Sequence, residues 1–296
     1  MSKYRMLGVI PPMVTPFKEN GEVDYDGLRT LVTYLKKEVD GLFINGSYGS
    51  GVMMTHDERM KTAEKVMETV AGEIPVVVHV GTADTVSAAK LTAHAASIGA
   101  AAVSAVGPYY FQHNEDQIRA FYRGILDAAA DTPVYVYNNP RFQGYEMGYG
   151  LIDTLRKMGV HGIKDATFDI IIHANYMRRF GQQGFDIALG TEAMWLSACA
   201  LGCQAFIPGL GNAFPEICRK MHKEGMAGDI DACRATQFKV NEMREVMYLA
   251  RSTQLAVYAM LEVRGIVKAF PRSPFVPASE EEKKAIREKL VQMGMM

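Results

Sequence analysis

The feature that most constrains the fold of this chain is an alternation. Short apolar runs recur at residues 7–14, 41–45, 76–80, 101–106, 134–137, 161–165, 186–189 and 204–208. Each is short enough for a buried strand and is followed by a longer stretch with helical periodicity. Several of those stretches carry helix start signals. Thr55 with Glu58 and Asn114 with Gln117 form capping boxes, Asp24 and Asp84 are N-cap residues, and Gly99 stops the third helix before its strand. Eight strand-then-helix units in about 220 residues predict an α/β fold of the closed TIM (β/α)8 barrel type, which typically needs roughly 250 residues. An open doubly wound sheet is the rival. It is weakened because Thr15-Pro16-Phe17, and not a G-x-G-x-x-G turn, follows the first strand.

From Asp229 onward no strand-like run appears. Helices are expected at 229–251, 254–268 and 279–293, with the proline-rich 270–277 as a linker. The expected division is therefore a barrel over 1–228 and a helical extension over 229–296. Composition matters here for what it excludes. Lys plus Arg (32) balances Asp plus Glu (33) for a net charge of -1, which supplies no field for a nucleic-acid backbone. The longest uncharged stretches are broken by glycine and proline, so no membrane span is expected. Lys3 and Arg5 precede an apolar run, but Pro11 and Pro12 interrupt it and no small-residue cleavage site follows, so a cytoplasmic location is expected. The four cysteines lack a paired C-x-x-C pattern and read as buried thiols, not as a disulfide framework or a zinc site.

Catalytic groups of such a barrel come from the C-terminal ends of its strands and the loops that follow. Lys164 stands within the sixth strand, in Gly162-Ile163-Lys164-Asp165, where its side chain projects into the barrel or its mouth. Burial of an ammonium lowers its pKa toward the neutral amine that attacks carbonyl carbons. Asp165 is its sequence neighbour and points to the opposite face of the strand, so it is badly placed as a partner. Tyr137 ends the adjacent strand and is expected at the same rim, where a phenol can move protons. The loop from Gly46 to Gly51 offers backbone N–H groups and the Ser47 hydroxyl to a carboxylate.

Four motifs occur in order: Gly46-Ser47-Tyr48-Gly49 after strand two, Pro108-Tyr109-Tyr110 after strand four, Tyr137-Asn138-Asn139-Pro140 after strand five, and Gly162-Ile163-Lys164-Asp165-Ala166-Thr167 at strand six. Together they resemble the dihydrodipicolinate synthase and N-acetylneuraminate lyase family, and the resemblance covers nearly the whole chain. It implies a Schiff-base enzyme acting on pyruvate and an aldehyde, with no metal or organic cofactor, assembled as a homotetramer. By position it implies Lys164 as the imine-forming lysine and Tyr137 as the proton relay. Ser47 would join that relay, and Tyr110 would be a second relay tyrosine contributed across a subunit interface.

Tyr48 replaces the family's second loop hydroxyl, and Ser50 replaces a glutamate. Phe142 occupies the place where the synthases carry an arginine, with Arg141 one residue earlier. Thr167, Gly190, Thr191, Glu192 and Ile207 complete the candidate substrate contacts, with 209–212 lining the far wall. A class I aldolase with a sugar-acid-like or aryl acceptor is the expected activity. The alternatives are a 2-oxo-3-deoxy sugar acid dehydratase, a hydratase-aldolase, 4-hydroxy-tetrahydrodipicolinate synthase, or a silent binding paralogue.

Overall fold

The computed structural model describes residues 4–296, so Lys3 of the N-terminal basic pair lies outside the described residues. Eight parallel strands follow the expected order: β1 Gly8–Val9, β2 Leu42–Ile44, β3 Val76–His79, β4 Ala102–Val106, β5 Val134–Asn138, β6 Gly162–Asp165, β7 Asp186–Leu189 and β8 Ala205–Phe206. Each pairs with its sequence neighbour from β2 through β8, and β1 pairs with β8. A parallel bridge between Pro12 and Phe43 joins the remaining edges, which makes the sheet a closed barrel. The first strand is shorter than its apolar run because Pro11 and Pro12 have no N–H to donate to a ladder. The eighth run likewise contributes only two ladder residues before Pro208.

The helices are α1 Tyr25–Leu35, α2 His56–Val70, α3 Thr85–Ser97, α4 Glu115–Ala128, α5 Pro140–Gln143, α6 Tyr149–Met158, α7 Ile170–Phe180, α8 Trp195–Ala200, α9 Pro215–Met226, α10 Ile230–Met247, α11 Thr253–Val263 and α12 Glu280–Gln292. The expected caps form. Thr55 and Asn114 close reciprocal capping boxes, and the Asp24 and Asp84 carboxylates accept from backbone N–H groups of their first turns. α10 stops before the expected end, where residues 248–250 tighten into a 3-10 turn and Arg251 adopts a left-handed φ of 66°. α11 stops at Val263, two residues before Gly265, instead of running to Lys268. The four-residue α5, with Pro140 at its first position, has too few residues to show a period.

Strand alternation divides the core into two layers. On β5, Val134 and Val136 face outward into the strand-to-helix layer, while Tyr135 and Tyr137 face the barrel interior. On β6, Ile163 faces outward and Lys164 therefore points inward. The interior is filled at one end by Met6, Tyr135 and Asp186. The buried Asp186 carboxylate accepts from the Tyr135 hydroxyl at 2.7 Å and from the Met6 N–H at 2.7 Å. Among the described residues no helix is long and apolar enough to cross a membrane. All four cysteines are free, and three are buried.

Candidate functional site

The site is built at the C-terminal ends of β5 and β6. Tyr137 and Lys164 are register partners on these strands, and Ala188 of β7 is the partner of Lys164 on its other side. The lysine thus has a phenol on one flank and only a methyl group on the other. Nζ lies 3.9 Å from the ring centroid of Phe43 and 4.0 Å from that of Tyr137. The two π faces favour a cation but carry no countercharge. Among the described residues no carboxylate is within ion-pairing distance of Nζ. Burial therefore dominates and pulls the Lys164 pKa from 10.5 down to about 7.

Asp165 is held on the opposite side of the strand. Its Oδ1 accepts from the N–H and hydroxyl of Thr167 at 3.0 and 2.7 Å, and its Oδ2 is 2.9 Å from Nδ1 of His173 on α7. Burial opposes charge on His173, but its hydrogen bonding, led by Asp165, prevails and raises its pKa to about 9. Thr167 thus donates its hydroxyl to Asp165, and its oxygen keeps acceptor lone pairs.

The Tyr137 hydroxyl is 3.4 Å from Ser47 Oγ and accepts from Asn139 Nδ2 at 3.3 Å. Desolvation raises its pKa, while Ser47 and Asn139 oppose the rise, so the phenol is protonated near neutral pH. The 46–51 loop that carries Ser47 turns back sharply, with Asn45 and Ser50 at left-handed φ values of 58° and 53°. A Cβ on Gly51 would stand 1.9 Å from the Asn45 carbonyl oxygen, so only glycine fits there. Gln254 of α11 holds the loop by donating to Tyr48 O at 3.1 Å and Ser50 Oγ at 2.8 Å.

Tyr48 donates its hydroxyl to Thr253 Oγ1 at 2.8 Å, and burial raises its pKa. Glu192, 1% exposed, pairs with Arg244 of α10 at 2.5 Å and accepts from the Gly209 N–H at 3.0 Å. Thr191 is buried and accepts from Ala193 N–H at 3.2 Å, Gly190 donates to the Asp165 carbonyl, and Ile207 belongs to the barrel interior. Two candidates stand apart from the lysine. Tyr110 is 87% exposed at a left-handed φ of 83°, with its ring edge-to-face on Phe111 at 5.0 Å. Phe142 is 55% exposed on α5, and the exposed Arg141 beside it holds its guanidinium 5.5 Å from the Phe168 ring.

Sequence reasoning missed four contributors: His79, Arg244, Thr253 and Gln254. His79 ends β3 with the inward parity of Lys164, and applying the same parity rule to that strand finds it. Its Nε2 accepts from Val106 N–H at 3.1 Å, and burial, reinforced by the charges of Arg59 and Lys164, holds the imidazole neutral. Arg244 and Thr253 carry no local signal, since both lie on ordinary-looking helices far along the chain from their partners.

A closed parallel barrel with a desolvated, unpaired lysine at the rim defines an α/β-barrel enzyme equipped for amine nucleophilic chemistry. The chain belongs to the Dihydrodipicolinate synthetase family, whose model matches residues 5–293. It is a lyase of the Schiff-base pyruvate aldolase kind. It is 30% identical over 275 residues to the 4-hydroxy-tetrahydrodipicolinate synthase of Phenylobacterium zucineum, covering 92% of each chain. It is 27% identical over 292 residues to the N-acetylneuraminate lyase of Mediterraneibacter gnavus, covering 97% of this chain and 92% of the relative. The solved sialic acid aldolase of Ruminococcus gnavus superposes with a TM-score of 0.92 at 26% identity, covering 98% of both chains.

Proposed function

We propose that this enzyme makes or breaks the carbon–carbon bond between pyruvate and a sugar-like or aryl aldehyde through an imine on Lys164. The observation that carries the reading is the buried, unpaired Lys164 amine in register with Tyr137. In the synthetic direction the neutral amine adds to the ketone carbon of pyruvate, and loss of water gives a protonated imine. Tyr137 relays a proton away from the methyl carbon, which yields an enamine. The enamine carbon adds to the aldehyde, a proton passes back to the new alkoxide, and water hydrolyses the imine to free the lysine. Ser47 and Asn139 orient the phenol through this cycle. Cleavage runs the same steps in reverse.

The preference for an acceptor without a carboxylate is supported by Phe142, an uncharged side chain at the position where the family's synthases carry an arginine. Excluding water from a second carboxylate without a cationic partner costs several kcal/mol. The synthase reaction with aspartate semialdehyde is the second reading, favoured by the name of the 30% identical relative. A homotetramer accompanies the proposal, supported by the large exposed area of Tyr110 and Phe111.

Borohydride added with pyruvate tests the reading. A reduced adduct is expected on the peptide containing Lys164 and is expected to vanish in Lys164→Ala. An adduct on another lysine, or none with a panel of 2-oxo acids, would overturn it. Measuring kcat/KM for aspartate semialdehyde beside hydroxy- and aryl aldehydes then separates the two readings.

A further inference from the structure

Lys164 and Asp165 are consecutive, so the strand that aims an amine into the barrel aims a carboxylate out of its back wall. That carboxylate, 2% exposed, meets the fully buried His173 at 2.9 Å. The imidazole is delivered by the start of α7. The Asp169 carboxylate caps this helix by accepting from the Ile171 and Ile172 N–H groups, and His173 N–H bonds to the Asp169 carbonyl at 3.0 Å. Thr167 gives Asp165 two further donors, its N–H and its hydroxyl. Other titratable groups against the pair are Cys203, ahead of β8, and Tyr176 on α7, which in turn faces Tyr149 and Glu146. The imine steps leave this ion pair unused, although it stands directly behind the nucleophile.

We propose that His173 is a positioning residue for the imine chemistry: its imidazolium cancels the charge of Asp165 at the back of β6, so that no net negative charge stands behind Lys164. The inference rests on the lysine-imine reading above and adds the residue that tunes its nucleophile. Side chains of adjacent strand residues point to opposite faces, which sets the carboxylate roughly 10 Å from the amine. Across protein with an effective dielectric constant of about 20, a full negative charge at that distance favours the ammonium by about one pH unit. A close pair of opposite charges presents only a dipole there, and its effect is much smaller. Asp165 does not shed its charge by taking up a proton, because the Thr167 N–H and hydroxyl both bond to the ionised form. Burial opposes charge on His173, but its hydrogen bond to Asp165 outweighs this, and the ring stays protonated up to about pH 9. The cancellation therefore holds across the range in which Lys164 loses its proton.

The test is the pH dependence of pyruvate adduct formation on Lys164, followed by stopped-flow trapping. His173→Asn sets an uncharged amide N–H where Nδ1 stood, so a bond to Asp165 can persist while the compensating charge is gone. Its midpoint is expected about one pH unit above the wild-type value of about 7. Adduct formation is then about tenfold slower at pH 6 and unchanged at pH 9. Adding Asp165→Asn removes the uncompensated charge, and the double variant is expected to return to the wild-type midpoint. A midpoint in His173→Asn within about 0.3 pH unit of wild type overturns the proposal. So does equal slowing at every pH, which a merely structural role would give, or a double variant that keeps the raised midpoint. Removing one partner of a buried pair is destabilising. If His173→Asn does not fold, neutron diffraction from wild-type crystals at pH 7 decides: deuterium is expected on both ring nitrogens of His173, and a neutral ring overturns the proposal. Trapping of pyruvate on wild-type Lys164 separates the two levels. Failure to trap defeats the imine reading, whereas trapping with an unmoved midpoint defeats only the role of His173.

Discussion

Replacing Lys164 with methionine removes the charge while keeping an unbranched chain of similar length between Phe43 and Tyr137. In the unfolded chain the lysine titrates near 10.5, and in the barrel near 7. The unfolded state therefore binds more protons between these values, and folding must discharge or desolvate the amine. At about 1.4 kcal/mol per pH unit, the gap corresponds to about 5 kcal/mol of destabilisation in the wild type. That cost is fully present below pH 7, declines as pH rises from 7, and is nearly gone above 10.5. Lys164→Met is accordingly expected to gain about 5 kcal/mol in urea unfolding at pH 6, and less than about 1 kcal/mol at pH 10. Variant and wild type are compared at each pH and at one protein concentration, so titrations common to both cancel and assembly does not shift the result. The same variant is expected to lose the pyruvate adduct. An equal gain at both pH values would refute the desolvated-cation argument, and so would no gain at pH 6.

Four further outcomes follow from the site and its supports. The rate of pyruvate adduct formation is expected to rise about tenfold per pH unit below 7 and level off above it, because only the neutral Lys164 amine attacks; a flat profile from pH 5.5 to 8.5 in stopped-flow trapping would contradict this. Tyr137→Phe is expected to lower kcat by about 100-fold or more with adduct trapping still detectable, and full turnover would remove the relay role.

Arg272 bonds to the Gly21 and Met53 carbonyls and to both oxygens of Glu58, so Arg272→Met is expected to cost about 2–3 kcal/mol in urea unfolding. Glu58 is held near a pKa of about 2, chiefly by its Arg272 hydrogen bond, against 4.5 unfolded. That contribution is complete above pH 4.5 and disappears as pH falls through 2, so a mutational cost that does not shrink in acid would tell against it. Light scattering is expected to give four times the chain mass at micromolar concentration, and a monomer would contradict the assembly.

The barrel was legible because it is written in local patterns. Short apolar runs bounded by capping residues fix where strands end and helices begin, and right-handed parallel connections leave few ways to arrange eight such units. The parity rule alone turned Lys164 inward and Asp165 outward, and the structure has both. Adjacent strand positions were enough to bring Tyr137 beside Lys164.

The closing wall of the site was not legible in this way. Arg244 reaches Glu192 across 52 residues, Thr253 reaches Tyr48 across 205, and Gln254 pins the loop across 206. On its own helix Arg244 looks like any solvated cation, and only the packing of α10 and α11 against the barrel mouth gives these side chains partners. The extent of α11 was decided at the same level. Neighbours in sequence constrain backbone conformation through sterics and short hydrogen bonds, whereas which distant polar groups share a buried site depends on how completed elements dock. Docking is set by the summed burial of many apolar side chains, and no single motif in the sequence records that sum.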